Sequence, residues 1–191
     1  ADSSYQHGMV RFIENHDEPR AAATFSDGKG RAAAVAILTL MGAKLLHEGQ
    51  FEGRKVRLPV FLGRRPEEPI DPDLAAFYGR LLKETRREVF RSGEWSLCES
   101  SGWPDNQSCQ NILSWCWVKD EECYVIVVNF SDKTAQALVH APWDELRGKQ
   151  WCLRDVLSGE SYDRSGDEMR DAGLYVELGP WKCHLFQARA L

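Results

Sequence analysis

The chain has 191 residues, of which 43% are hydrophobic and 28% charged, with a net charge of -5. These proportions are those of a globular protein and exclude disordered and collagen-like classes. The acidic balance, with no basic stripe carrying interleaved aromatics, excludes nucleic acid as a partner. No apolar run approaches the roughly 20 residues that span a bilayer, which excludes a membrane partner.

The N-terminal ADSSYQHG has neither a basic nor an apolar leader segment, and it lacks an initiator Met, as expected of a fragment or a processed product. Its six cysteines, Cys98, Cys109, Cys116, Cys123, Cys152 and Cys183, contain no C-x-x-C pair and no zinc spacing. Reduced thiols and a cytoplasmic location are expected.

Met9 to Ile13 reads as a short strand running into Asn15, His16 and Asp17, which place an amide, an imidazole and a carboxylate on consecutive positions. Such a cluster at a strand end is either turn chemistry or a site. Pro19 stops any helical continuation through residue 18. The alanine-rich AAAVAILTL, residues 32 to 40, is predicted as a buried helix capped by Ser26 or Asp27 and ended by Gly42. The preceding SDGKGR lacks the spacing of a phosphate-binding loop and reads as the turn into that helix. AKLLHEGQ then gives a second strand with a polar end, His47, Glu48 and Gln50.

The next element is the clearest helix. Asp71 fits the N-cap and Pro72 the first helical position. Leu74, Phe77, Tyr78, Leu81 and Leu82 form an apolar stripe at helical spacing. Arg86, Arg87 and Arg91 complement the C-terminal end of the dipole, and Gly93 closes the helix.

From about residue 94 the period becomes two. Leu113, Trp115 and Trp117 alternate with Ser114 and Cys116, Val125 to Val128 is a buried run, and Leu174, Val176 and Leu178 alternate with Tyr175 and Glu177. Turns such as SDKT, LSGE, RSGDE and LGPW punctuate them, and no helix pattern is expected here. The fold class is therefore α+β. Residues 1-92 carry two βα units, too few to bury a parallel sheet on both faces, and read as the tail of a (β/α)8 barrel. Residues 93-191 read as an antiparallel β-sandwich. In a barrel, functional groups stand at the C-terminal ends of the strands, where both polar clusters fall.

FIENHD, residues 12 to 17, resembles the F-x-x-N-H-D signature that closes the seventh barrel strand in the α-amylase family, glycoside hydrolase family 13. GAKLLHEGQ resembles that family's eighth strand, and VIVVNFS, residues 125 to 131, a strand of its C-terminal Greek-key sandwich. Phe51 stands where an acidic residue commonly follows Gly-Gln. The resemblance implies cleavage or transfer of α-glucosidic bonds in an α-glucan or oligosaccharide. It makes Asp17 the carboxylate that stabilises the transition state, with His16 and Asn15 as substrate-binding support.

The nucleophile and general acid of such a retaining enzyme lie on upstream strands four and five. The implied partner is thus the upstream barrel portion of the same protein or of another chain, and the isolated chain is expected to be inactive. No cofactor is implied. No spacing among His7, His16, Asp17, His47 and Glu48 recommends a metal site. The alternative is a non-catalytic sandwich that binds glucan or braces a barrel. Trp95, Trp103, Trp115, Trp117, Trp143, Trp151 and Trp181 are then either a stacking platform or core.

Overall fold

The computed structural model describes residues 2–59, 61 and 63–191, and the chain divides into two units, Ala1–Thr85 and Arg86–Leu191. The first contains α1 (Ser3–His7), β1 (Val10–Arg11), α2 (Ala21–Thr24), α3 (Asp27–Thr39), β2 (Ala43–Lys44) and α4 (Pro72–Thr85). β1 and β2 pair in parallel, Val10 opposite Ala43 and Arg11 opposite Lys44. Both expected strands are present, but each is only two residues long, because the chain bends before Glu14 and His47 reach the ladder. The pairing extends through Ala43 N donating to Met9 O and Leu45 N donating to Arg11 O, each at 2.9 Å.

Ser26 caps α3, its hydroxyl accepting from Lys29 N at 3.4 Å. Ala32, Ala34 and Val35 on α3 are fully buried. The helix ends at Thr39, before Gly42. Gly42 has φ 94°, and a Cβ there would lie 2.5 Å from Met9 O, so this turn requires glycine.

α4 begins as expected, with Asp71 Oδ1 accepting from Asp73 N at 3.0 Å and Leu74 N at 2.9 Å. Of its stripe, Phe77, Tyr78 and Leu81 are buried, and Leu74 and Leu82 are half-buried. It stops at Thr85, eight residues short of Gly93. Arg86 and Arg87 therefore lie outside it. Arg87 pairs with Glu122, and the chain resumes as the short helix α5 (Val89–Ser92) with Val89 fully buried. Phe90 packs on Trp117 and Tyr124, with ring centroids 6.0 and 4.8 Å apart. Tertiary burial of this pair overrides the helix propensity of the intervening residues.

The second unit continues with β3 (Glu94–Leu97), β4 (Glu99–Ser101), β5 (Ile112–Lys119), β6 (Glu122–Asn129), β7 (Ala135–His140), β8 (Gln150–Asp155), β9 (Ser161–Ser165), α6 (Gly166–Asp171), β10 (Leu174–Leu178) and β11 (Cys183–Ala190). Its strands form two antiparallel sheets, ordered β3-β5-β6-β11-β8-β9 and β10-β7-β4. A shared core joins them: Cys116, Val125, Val127 and Phe186 from the larger sheet meet Ala137, Val139, Leu174 and Val176 from the smaller. This is a β-sandwich, and antiparallel sheet dominates the chain.

Two local expectations differ. β5 is buried on both faces: Cys116 enters the sandwich core, while Trp115 and Trp117 stand on the other face of the sheet, each 2% exposed. α6 lies where RSGDE read as a turn, because Ser165 Oγ accepts from Glu168 N at 3.4 Å and starts a helical turn.

Candidate functional site

The chain leaves β1 at Arg11 and turns sharply at Asn15. The Asn15 amide oxygen accepts from Asp17 N at 2.7 Å and from Glu18 N at 2.9 Å, a side-chain turn of the kind Asn forms readily. That turn pushes His16 and Asp17 outward. Their side chains are 61% and 73% exposed, with His16 Nε2 and Asp17 Oδ2 3.2 Å apart. Asn15 thus builds the turn, and an imidazole and a carboxylate stand together at its apex.

Beneath the turn the polar groups are buried. Glu14 Oε2 accepts from Ala21 N at 2.7 Å, and Glu14 Oε1 faces Arg20 Nη2 at 3.0 Å. The end of β2 turns into the same region. His47 Nδ1 meets Arg20 Nη1 at 2.8 Å, while Glu48 turns outward to pair with Arg65. Gln50 does not face the apex: it is buried, accepts from His47 N at 3.2 Å, and donates from Nε2 to Tyr78 Oη at 2.9 Å. Burial pushes the Tyr78 phenol up to about 12, so it stays protonated at neutral pH.

A cavity of about 360 Å³ opens beside these residues, lined among others by Ile13, Phe25, Gln50, Leu74 and Tyr78, but not by Asn15, His16 or Asp17. It is largely apolar and offers the apex no enclosure. Among the described residues no cluster of three or more His, Cys, Asp and Glu side chains is arranged to hold a metal ion, and no helix is long and apolar enough to cross a membrane.

The structure thus brings together Asn15, His16 and Asp17 on one turn and ties His47 to the base of that turn. Sequence reasoning missed Glu14 and Arg20, because isolated charges beside a strand end read as solvated surface. A glycine at position 49 was the available signal, since it marks a close approach at the end of the second strand.

No protein-family model matches the chain. Over 162 residues it is 25% identical to the α-amylase MalA of Haloarcula japonica, a match covering 83% of this chain and 22% of MalA. The chain is similar to this α-amylase over most of its own length. Solved structures agree in fold. The noncanonic maltogenic α-amylase AmyB of Thermotoga neapolitana superposes with a TM-score of 0.73 at 19% identity, over 95% of this chain and 41% of AmyB. An Anoxybacillus α-amylase gives 0.72 at 16% identity, over 96% of this chain and 38% of the other. The chain spans about a fifth of MalA's length and about two fifths of those two structures.

Proposed function

We propose that the chain is the C-terminal portion of a retaining α-glycosidase or α-glucan transferase. Residues 1-92 supply the last two βα units of its (β/α)8 barrel, and residues 93-191 its C-terminal sandwich. The observation that carries this reading is the parallel β1–β2 pair with His16 and Asp17 exposed on the turn that follows β1. A barrel strand presents its functional groups at that end. The share of the α-amylase structures that the chain covers supports the same reading.

In this proposal Asp17 is the carboxylate that hydrogen-bonds sugar hydroxyls and favours the oxocarbenium-like transition state. His16 donates to the same ring, and Asn15 holds both in place through its bonds to the backbone of the turn. The nucleophile and general acid, which a retaining enzyme needs about 5 to 5.5 Å apart, come from upstream strands. An acidic apex open to water stabilises a developing positive charge weakly, so Asp17 acts only once the barrel is closed around it. The 191-residue chain alone should therefore release no sugar from maltooligosaccharides and no phenol from an activated aryl α-glucoside. Release that disappears in Asp17→Asn would overturn this reading, because the chain would then hold its own catalytic pair.

A glucan-binding sandwich is the second reading. On the outer face of the smaller sheet, Trp103 and Tyr175 meet edge to face at 6.0 Å, and Tyr175 is 48% exposed beside Gln136 and Glu177. Retardation of the chain in a glucan gel, lost in Trp103→Ala and Tyr175→Ala, would support it. Unretarded migration would remove it.

A further inference from the structure

Arg20 and Glu14 are 5% and 1% exposed, an ion pair taken almost wholly out of water. Such a pair is costly unless the remaining polar positions are also satisfied. Glu14 Oε1 makes the ion pair but no hydrogen bond, while the Arg20 fork holds groups at two strand ends at once. Nη2 faces Glu14 Oε1 at 3.0 Å and donates to Glu48 O at 2.8 Å. Nη1 meets His47 Nδ1 at 2.8 Å, and Nε donates to Arg54 O at 3.3 Å. Gly49, with φ 84°, makes room: a Cβ there would lie 2.7 Å from Arg20 Nη2.

Two consequences follow from the geometry. Glu14 contacts residues 20 and 21, so the two ends of the turn 15–19 are pinned together and Asp17 stands at the apex of a closed loop. A guanidinium can only donate, so His47 Nδ1 must offer its lone pair and the ring proton resides on Nε2. The longer 3.5 Å approach of Glu14 Oε1 to Nδ1 would require a proton that the shorter Arg20 contact excludes.

We propose that Arg20 is the positioning residue of the site: with Glu14 and His47 it locks the loop bearing Asp17 to the end of β2 and holds His47 as the Nε2–H tautomer. The proposal rests on the reading of Asp17 and His16 as sugar-contacting groups. A lysine at position 20 would keep the charge opposite Glu14 but could not span His47, Glu48 O and Arg54 O with one ammonium. Arg20→Lys therefore separates register from charge.

The test begins with histidine-selective long-range ¹H–¹⁵N spectra of the 191-residue chain. The unsubstituted chain should show His47 with a protonated Nε2 and an unprotonated Nδ1. In Arg20→Lys the His47 signals should move toward a mixture of tautomers, and the Asp17 and Glu18 amides should shift with them. A His47 Nδ1–H tautomer in the unsubstituted chain, or unmoved His47, Asp17 and Glu18 signals in Arg20→Lys, would overturn the proposal. In the complete enzyme the same substitution should lower kcat by about 10- to 100-fold, the scale of a misplaced reacting group, with a smaller change in KM. Unchanged kcat in an active enzyme would sink the positioning role while leaving the functional reading intact. A complete protein that turns over no α-glucan, with the expected His47 tautomer and amide shifts, would sink the functional reading and uphold the clamp.

Discussion

Asn129 provides the sharpest stability test of the sandwich. It is fully buried at the end of β6. Its Nδ2 reaches Lys133 O at 2.6 Å and Leu178 O and Gly179 O at 2.9 Å each. Its Oδ1 accepts from Ser131 N at 3.2 Å and Ser131 Oγ at 2.9 Å. One side chain thus ties the turn after β6 to the turn after β10. Each such bond contributes about 1 kcal/mol net, and a buried carbonyl left without a donor costs about 1–3 kcal/mol. Two amide protons shared among three carbonyls, together with the Ser131 contacts, put Asn129→Ala at about 3–4 kcal/mol of lost stability.

Asn129→Asp should be worse at neutral pH, because it sets a carboxylate oxygen against the three carbonyls. Burial and those carbonyls would hold the new acid's folded pKa above its unfolded value. Its stability is therefore highest below the unfolded pKa and is lost as pH rises through the folded one, so acidification should recover part of the deficit. Urea unfolding followed by tryptophan fluorescence reads both variants as a fall in midpoint at unchanged slope. A loss below about 1 kcal/mol for Asn129→Ala, or an Asp variant as stable as the Asn protein at neutral pH, would refute this reasoning.

Gly166→Ala should destabilise the same unit by about 3 kcal/mol or more, since a Cβ there would lie 1.8 Å from Leu146 O and 3.0 Å from Lys149 O; urea denaturation of the variant checks this. Burial, reinforced by nearby Arg11, pulls Lys44 down to about 8. The unfolded chain then binds more protons than the folded one between about pH 8 and the ordinary lysine value near 10.4, so stability attributable to Lys44 rises across that window. A pH series of unfolding midpoints should show the rise in the unsubstituted chain and lose it in Lys44→Met.

Elements whose signals are local were legible in the sequence. The Asp71–Pro72 start and the Phe77, Tyr78 and Leu81 stripe gave α4, because capping and periodicity act within a few residues. The strand-rich second half was legible for the same reason, and the parallel pairing of the two N-terminal strands followed from the alternation of strand, helix and strand. The break after Thr85 was not, because Phe90 is drawn to partners more than 25 residues away in sequence, Trp117 and Tyr124. Nor was the orientation of β5, since its alternation separates two faces that are both buried and does not say which of them meets the sandwich core. At the site, the triplet was legible as a motif and the Asn15 turn as chemistry. The Glu14–Arg20–His47 cluster was not, because an ion pair 6 residues apart and an arginine–imidazole contact 27 residues apart reveal burial only once the chain has folded.

In the proposed function, Asp17 serves a glucan-cleaving or glucan-transferring barrel of which this chain is the C-terminal part. Steady-state kinetics of Asp17→Asn in the complete enzyme test it most directly. The substitution keeps the size of the side chain and removes its charge, so kcat should fall by roughly 100-fold or more, the scale of losing a preorganised polar contact to the transition state, while KM changes little. Turnover of maltooligosaccharides within a few-fold of the unsubstituted enzyme would contradict the account.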